Sequence, residues 1–261
     1  MNYLEAALLG LIQGITEFLP VSSSGHLELA KAIFGKDIEE GLLLSVVLHM
    51  ATALSTLIVF RKDIWILLST LFGQSKRYLI YIIISMIPAA LVGLFFESYI
   101  NHLFDGNALL VAVMLMVTGT LLWFSDKIKN SNHTLRAKHA FWVGWIQAIA
   151  ILPGISRSGS TVGALLLMGI NRKEAAKFSF LMVLPVILGA ALKKSMDFVR
   201  SGEPVSIDIG PLILGFIVAF LSGFFACKGM LFLIDRTKLR GFAYYCWGVA
   251  CMAILLVFLG S

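Results

Sequence analysis

"QGITEFLPVSSSGH", residues 13–26, is a polar stretch that interrupts an apolar segment near the start of the chain. It carries one carboxylate (Glu17), a run of three serines at 22–24 and one histidine (His26). The whole chain of 261 residues is 59% hydrophobic, has a mean hydropathy of +0.90 and only 14% charged residues. This composition is typical of a polytopic membrane protein, in which polar groups at membrane depth have a function or a buried partner.

Six apolar runs are long enough, or nearly long enough, to cross about 30 Å of hydrocarbon as helices. The fourth run is short and contains Pro185, so we expect its helix to borrow a turn from its flanks. Two further apolar regions, 1–35 and 141–169, are each broken by a polar loop. We expect each of them to form a re-entrant hairpin of two short helices. The six predicted spans are 41–60, 78–96, 107–124, 178–192, 210–234 and 241–260.

The two broken regions are related by a shift of 134 residues. Seven of the sixteen residues in 10–25 are identical to their counterparts in 144–159, which indicates an internal repeat. The repeat predicts a single integral membrane domain over 1–261, with halves at about 1–126 and 135–261. Each half has one hairpin followed by three spans. Because three is odd, we expect an inverted repeat in which the two polar loops meet near the midplane.

The loop charges predict the orientation of this all-α fold. With alternating loops, one side of the membrane holds fourteen Lys and Arg residues and the other side holds five. The positive-inside rule makes the first side cytoplasmic. Both termini and the mouth of the first hairpin are then expected to face outward.

The remaining composition excludes other function classes. The net charge of +6 is explained by loops that face anionic lipid, so no nucleic-acid partner is expected. The three cysteines, Cys227, Cys246 and Cys251, lie in apolar stretches without the spacing of metal ligands, and we interpret them as buried apolar residues.

Arg157 indicates what the polar centre binds. It lies in "PGISRSGST", residues 153–161, between the two apolar arms of the second hairpin. An unpaired arginine at membrane depth costs several kcal/mol, so it needs an anionic partner, and Glu17 is the internal candidate. A structural ion pair would not explain the glycines and hydroxyls around both residues. Guanidinium, hydroxyl and backbone N–H donors together suit a phosphate.

The two polar stretches together resemble the signatures of a known family. "QGITEFLPVSSSGH" is similar to a (Glu/Gln)-x-x-x-Glu motif followed by Ser-Ser-x-Gly-His, and "PGISRSG" at 153–159 is similar to Pro-Gly-x-Ser-Arg-Ser-Gly. Both motifs belong to the bacitracin-resistance (BacA-like) membrane family of bacterial undecaprenyl-diphosphate phosphatases. The length, the repeat and the span pattern extend the resemblance over essentially the whole chain.

The resemblance implies a phosphatase of the bacterial cytoplasmic membrane that hydrolyses undecaprenyl diphosphate to the monophosphate. Such a reaction recycles the lipid carrier of cell-wall building blocks and confers bacitracin resistance. The family pattern also implies six transmembrane helices plus two re-entrant hairpins, with an active site that opens to the outer face. The expected partners are the polyprenyl diphosphate substrate and membrane lipids; a homodimer is left open.

The resemblance also implies roles for single residues. Arg157 is expected to bind the diphosphate oxygens, and Ser23 is the candidate nucleophile. His26 would act as acid or base, and Glu17 would take the Ser23 proton or orient His26; whether Ser23 or His26 attacks stays open. The expected substrate-binding residues are Gln13, Ser22, Ser24, Gly25, Gly154, Ser156, Ser158, Gly159, Ser160 and Thr161.

Two alternatives remain at this stage. Glu17 could instead ligate Mg²⁺ or Ca²⁺ together with Gln13 and the substrate, although a glutamine at position 13 makes a two-carboxylate metal site weaker. The rival function is a transporter or flippase of polyprenyl phosphates, because inverted repeats that meet at the midplane are typical of alternating access. A carrier needs Arg157, but it has little use for Glu17, Ser23 and His26 in one loop.

Overall fold

The computed structural model describes residues 1–34, 42–69, 76–104, 107–128, 133–201, 208–236 and 238–259. Within these ranges the regular structure is helical, apart from one bridge between His133 and Ile170. The described helices are α1 (Tyr3–Phe18), α2 (Ser23–Phe34), α3 (Leu42–Val59), α4 (Arg61–Ser69), α5 (Lys76–Phe95), α6 (Glu97–Phe104), α7 (Ala108–Asp126), α8 (Ala137–Ile149), α9 (Arg157–Leu167), α10 (Arg172–Ser201), α11 (Ile209–Arg236) and α12 (Arg240–Leu259).

Five described helices, α5, α7, α10, α11 and α12, are long and apolar enough to cross a membrane. The pair α3 and α4, bent by 73° at the break between them, counts as a sixth candidate. The protein is therefore an all-helical, multi-pass membrane protein. Helix α10 has 30 residues and extends beyond the predicted run 178–192 at both ends, which confirms the borrowed turn. The predicted run ends at 41 and 260 lie outside the described residues.

Both broken apolar regions form helix–loop–helix units. The first hairpin consists of α1, residues 19–22 and α2; the second consists of α8, residues 150–156 and α9. In each hairpin the two helices pack against each other. The polar loops thus interrupt the helices where the sequence predicts it.

The first helix of each hairpin packs closely against a helix from the other half of the chain. Helix α1 contacts α11, and α8 contacts α5. A Cβ atom on Gly10 would lie 2.5 Å from the Gly215 carbonyl oxygen, and one on Gly144 would lie 2.7 Å from the Ser85 carbonyl oxygen. Small residues let helix backbones approach in this way in membrane proteins. Gly10 and Gly144 are also counterparts in the sequence repeat.

Helices α3 and α10 contact each other, and α10 is the most buried of the described long apolar helices. In the apolar part of α10, 61% of residues are buried, compared with 22% in α5 and in α12. Most of the surface of α12 is therefore not covered by other helices, and Cys251 lies on this exposed surface. Cys227 and Cys246 are buried as predicted, but the prediction was wrong for Cys251.

One buried carboxylate joins the ends of three helices away from the hairpin tips. The Asp126 side chain at the end of α7 is 1% exposed. Its Oδ1 atom accepts from Arg172 Nη2 and from the Leu239 backbone N–H, both at 3.0 Å, and its Oδ2 atom lies 3.1 Å from Arg240 Nε. These contacts tie α7 to the starts of α10 and α12.

Candidate functional site

The tips of the two hairpins meet. Ser158 Oγ donates a hydrogen bond to the Leu19 carbonyl oxygen at 3.1 Å. A Cβ atom on Gly25 would lie 3.2 Å from Gly154 Cα. The absence of side chains on these two glycines lets the loops come into direct contact, as the sequence predicts.

A serine caps the second helix of each hairpin. Ser22 Oγ accepts from the Gly25 N–H at 3.2 Å, and Ser156 Oγ accepts from the Gly159 N–H at 3.1 Å. A capping serine satisfies one of the free N–H groups at a helix start, and this explains why serine and glycine recur at this spacing in both loops. The two caps place the residues that follow them, Ser23 and Arg157, in the first turn of α2 and of α9.

Thr118 of α7 holds the second tip from the side. Its Oγ1 atom accepts from the Ser156 N–H at 3.0 Å and donates to the Gly154 carbonyl oxygen at 3.3 Å. Gly154 has φ +91, and a Cβ atom there would overlap the Val111 carbonyl oxygen, so only glycine fits. Sequence reasoning missed Thr118, although a buried hydroxyl inside an apolar span is a signal for interhelical hydrogen bonding.

Glu17 is the centre of the site. Its side chain is 5% exposed, and its Oε1 atom accepts from Arg157 Nη2, so the predicted ion pair is confirmed. Its Oε2 atom accepts from Ser23 Oγ at 2.7 Å and from Gln13 Nε2 at 3.1 Å. The carboxylate therefore joins a hydroxyl of the first hairpin to the guanidinium of the second.

A pocket opens beside the Glu17–Arg157 pair. The Arg157 side chain is 27% exposed, so its guanidinium is not fully enclosed by protein. Helices α3 and α10 complete the walls. The polar lining is Glu17, Arg157, Ser158, Thr52, Thr56 and Ser179, and the apolar lining is Phe18, Phe180, Val183 and Ile187.

His26 is held by groups other than Glu17. Its Nδ1 atom lies 2.7 Å from the Ser22 carbonyl oxygen, and its Nε2 atom lies 2.9 Å from the Tyr245 hydroxyl. A carbonyl oxygen only accepts, so Nδ1 carries a proton, and in the neutral ring Nε2 accepts from Tyr245. Of the two roles left open for Glu17, the geometry favours contact with the Ser23 proton over orientation of His26. Sequence reasoning missed Tyr245.

Other predicted phosphate ligands use their hydroxyl protons inside the protein. Ser158 donates to Leu19, and Thr161 donates to the Arg157 carbonyl oxygen at 2.8 Å, with Ser179 Oγ 2.6 Å away. Because each hydroxyl has only one proton, these two groups have none left for a ligand in this arrangement. Ser160 is buried in the same turn of α9. Their roles as phosphate ligands stay predictions.

The residues near Glu17 provide few ligands for a metal ion. Among the described residues, no group of three or more His, Cys, Asp or Glu side chains could hold one. Gln13 Oε1 is buried and has no hydrogen-bond partner among them. This oxygen and the Glu17 carboxylate are both hard ligands of the type that Mg²⁺ and Ca²⁺ prefer. Because Gln13 directs Nε2 to Glu17, its amide would have to rotate for both to hold one ion, with substrate and water as the other ligands.

The fold and the site define a class: a multi-pass helical membrane protein in which a buried carboxylate lies beside a partly buried serine and arginine where two hairpin tips meet, with a histidine in the same turn as the serine. Residues 6–252 match the family described as bacitracin resistance protein BacA, and the chain belongs to that family.

Three relatives cover nearly the full chain. A protein of Christiangramia forsetii is 49% identical over 266 residues, which is 99% of each chain. A protein of Bacteroides thetaiotaomicron is 46% identical over 263 residues, which is 98% of this chain and 99% of the relative. A protein of Carboxydothermus hydrogenoformans is 41% identical over 260 residues, which is 98% of each chain. All three relatives are named undecaprenyl-diphosphatase.

Proposed function

We propose that this protein hydrolyses undecaprenyl diphosphate to undecaprenyl phosphate and inorganic phosphate. The reaction would recycle the lipid carrier for peptidoglycan synthesis and confer resistance to bacitracin. Membership of the BacA family and the names of the relatives support this activity. The observation that carries it is the Ser23–Glu17–Arg157 chain of contacts, because it joins a nucleophile, a base and an oxyanion-binding group.

In the proposed reaction Ser23 Oγ attacks the terminal phosphorus of the substrate. The Ser23 proton passes to Glu17 Oε2, which already accepts its hydrogen bond at 2.7 Å. The bond between the terminal phosphorus and the bridging oxygen breaks, and undecaprenyl phosphate leaves. Water then attacks the phosphorus of the phosphoserine and the Ser23 Oγ–phosphorus bond breaks. Ser23 Oγ takes its proton back from Glu17, and inorganic phosphate is released. We assign the attack to Ser23 rather than His26 because the Ser23 hydroxyl is the one in contact with a carboxylate.

Arg157 has two partners in this mechanism. Before substrate arrives, its guanidinium neutralises the buried Glu17 carboxylate. The planar fork carries five N–H donors, so it can also grip phosphate oxygens in two parallel hydrogen bonds. A diphosphate that draws Arg157 to itself leaves Glu17 as the acceptor for the Ser23 proton. Substrate binding and activation of the nucleophile are thereby coupled.

The pocket lining suits an amphiphilic substrate. Arg157 would face the diphosphate, with the Thr52 and Thr56 side chains of α3 beside it. Phe180, Val183 and Ile187 of α10 would lie beside the first carbons of the prenyl chain. An apolar wall there would also exclude water from the phosphoanhydride until the serine has reacted.

A divalent cation, Mg²⁺ or Ca²⁺, is a second part of the proposal. Gln13 Oε1 and Glu17 would hold it, and it would neutralise charge on the diphosphate. In chelator-treated protein, we expect phosphate release to fall and to return when the cation is added. Full activity in chelator would contradict this part alone.

The proposed path through the membrane is an inverted repeat with two re-entrant hairpins. Both termini and the site opening would face outward, as the loop charges of fourteen to five indicate. Helix α1 packs on α11 and α8 packs on α5, so the first helix of each hairpin packs on a helix of the opposite half. This reciprocal packing supports two structurally equivalent halves. In protein without native cysteines, an impermeant thiol reagent should label Asn2→Cys in intact cells but not Lys138→Cys. Labelling of both, or of Lys138→Cys alone, would contradict this orientation.

Two further predictions stay open to measurement. Transport of polyprenyl phosphates is the rival function, and it predicts transbilayer movement of labelled lipid in proteoliposomes even with Ser23→Ala.

A homodimer predicts twice the mass of the 28.6 kDa chain for the detergent-solubilised protein by light scattering.

Phosphate release by purified protein in detergent tests the proposed function. We expect one phosphate per undecaprenyl diphosphate and none from undecaprenyl monophosphate, because a monophosphate has no anhydride bond. Ser23→Ala, purified in the same way, controls for contaminating phosphatases. Equal release by the wild type and Ser23→Ala would overturn the proposed mechanism, and no release by the wild type would overturn the function.

A further inference from the structure

His26 has a partner from the far end of the sequence. The Tyr245 hydroxyl lies 2.9 Å from His26 Nε2, although 219 residues separate the two positions. Their rings are nearly parallel, at an interplanar angle of 5° and a centroid separation of 5.6 Å. Two independent features, the hydrogen bond and the ring alignment, thus relate the same two side chains.

The position of Tyr245 is fixed by its helix. Helix α12 packs along α7, and α2 also packs on α7, so α7 sets the distance between them. The neighbouring residue Cys246 is buried, and its thiol contacts the Pro20 carbonyl oxygen at 3.7 Å. Helix α12 therefore touches the tip of the first hairpin directly beside Tyr245.

The two contacts of His26 define where its proton lies. Nδ1–H donates to the Ser22 carbonyl oxygen, which leaves the Nε2 lone pair as the acceptor for the Tyr245 O–H. When Nε2 takes up a proton, the Tyr245 hydroxyl can rotate and accept from it instead. The Tyr245 hydroxyl can therefore stay bonded to Nε2 in both protonation states of the ring.

We propose that Tyr245 is a positioning residue for His26: its hydroxyl fixes the plane of the imidazole and the direction of the Nε2 atom before substrate binds. This inference rests on the proposed phosphatase function and on the role as acid or base that the family resemblance implies for His26. Tyr245 would act through His26 and would not itself touch the diphosphate. Its removal should slow turnover and leave substrate affinity unchanged.

If Tyr245 had a role in packing alone, its substitution would lower the melting temperature rather than kcat. The Tyr245 side chain is exposed over 47% of its surface, so its hydroxyl contributes little to the buried core. Tyr245→Phe retains the ring and removes only the hydroxyl. Tyr244→Phe is the matched control, since Tyr244 is the preceding residue of α12, is 60% exposed and packs on Trp247.

Steady-state kinetics in detergent are the first test. For Tyr245→Phe we expect kcat to fall about tenfold, with KM and the melting temperature unchanged, because only part of the acid–base contribution is lost. Tyr244→Phe should match the wild type in all three values. A wild-type kcat in Tyr245→Phe, or an equal loss in Tyr244→Phe, would overturn the inference.

Nitrogen NMR of protein with ¹⁵N-labelled histidine is the second test, and it needs no turnover. The His26 ring signals are assigned by their loss in His26→Gln. We expect the Nε2 signal to move in Tyr245→Phe and to stay in Tyr244→Phe. An unmoved signal would show that the hydrogen bond is absent and would overturn the inference. A moved signal in a protein that releases no phosphate would instead place the failure in the proposed function.

Discussion

The two hairpins share a frame but differ in their chemistry. In both, a serine hydroxyl caps the second helix by accepting from the N–H of a glycine three residues later. The distance between the serine oxygen and the glycine nitrogen is 3.2 Å in the first hairpin and 3.1 Å in the second. In both, a further serine hydroxyl lies close to the cap, Ser24 at 3.4 Å from Ser22 and Ser158 at 3.3 Å from Ser156. The repeated residues therefore build the loops and orient the helices.

The chemistry lies at the positions where the two hairpins differ. Glu17 corresponds to Ile151, Ser23 to Arg157 and His26 to Ser160, each 134 residues apart. The residue after the cap is thus a candidate nucleophile in one hairpin and an oxyanion-binding group in the other. Neither hairpin alone carries both. Because the two hairpins share a backbone arrangement but differ in these side chains, Ser23 and Arg157 contact different oxygens of the Glu17 carboxylate.

The largest expected effect follows from this division between Ser23 and Arg157. Ser23→Ala removes the nucleophile, and Arg157→Lys replaces the fork by a single ammonium group. Each should lower kcat by about 10³-fold, the range seen when members of a hydrolytic triad are removed. Rates of phosphate release from undecaprenyl diphosphate measure both effects.

The counterpart of His26 offers the control for these variants. Ser160→Ala changes the second hairpin at the position where the first carries a histidine; because the predicted role of Ser160 is to bind substrate, this variant should retain kcat within about twofold and change KM at most. A loss in Ser160→Ala as large as in Ser23→Ala would show that the second hairpin contributes more than Arg157. Near-normal turnover in a folded Arg157→Lys protein would remove its phosphate-binding role.

The next effect compares two buried carboxylates. Glu17→Gln keeps the shape of the side chain but removes the base, so we expect kcat to fall by about 10²-fold or more while substrate still binds. Asp126→Asn should instead lower the melting temperature, because Arg172 and Arg240 lose a charged partner that is worth about 3 kcal/mol in a buried site. Its kcat should be unchanged.

Thermal unfolding and kinetics of both variants separate the two roles. If Glu17–Arg157 is only a structural ion pair, Glu17→Gln will behave like Asp126→Asn, with poor expression and normal turnover of the folded fraction. A stable Glu17→Gln protein with wild-type kcat would contradict both interpretations of Glu17.

A smaller effect is expected at Ser24 and Ser158, the serines that lie two residues after the capping serines. Ser24→Ala should raise KM by about three- to tenfold and leave kcat nearly unchanged, since it removes one hydrogen-bond donor near the substrate. Ser158→Ala should also lower the melting temperature, because Ser158 joins the two tips through Leu19. Kinetics and melting curves test both variants, and a fall in kcat alone for Ser24→Ala would move that residue into the chemistry.

The sequence was sufficient for the parts of the structure that depend on local patterns. Apolar runs predicted the long helices, and the polar breaks predicted both helix–loop–helix units. The cost of a buried arginine predicted the Glu17–Arg157 pair across 140 residues. This inference worked because few anionic groups lie in apolar surroundings, so the number of candidates was small.

The contacts that the sequence did not reveal depend on how helices rotate against each other. Thr118 and Tyr245 lie in long helices that are mostly apolar on all sides, so the sequence does not show which face is turned to the protein. Tyr244 and Tyr245 are adjacent, and only packing on α7 decides which of them meets His26. Each hydroxyl has only one proton to donate. Ser158 and Thr161 donate theirs to backbone carbonyl oxygens, so neither has a proton left for a ligand, and the sequence does not reveal this.

The smallest expected effect concerns two glutamines that the repeat places in equivalent positions. Gln13 donates to Glu17 four residues later, but the residue four positions after Gln147 is Ile151. Both amide atoms of Gln147 are buried and have no hydrogen-bond partner among the described residues. An unsatisfied buried amide is destabilising, so Gln147→Leu should stabilise the fold by about 1 kcal/mol and raise the melting temperature by about 2–4 °C.

Gln13→Leu should have the opposite character. It removes a donor to the Glu17 carboxylate and an oxygen available to a cation, so turnover should fall while the melting temperature does not rise. Melting curves and phosphate release for the two leucine variants, measured side by side, decide between the two roles. If Gln147→Leu lost activity as Gln13→Leu does, the free amide of the second hairpin would have a partner during turnover, and the chemistry would be less unevenly divided between the hairpins than their residues indicate.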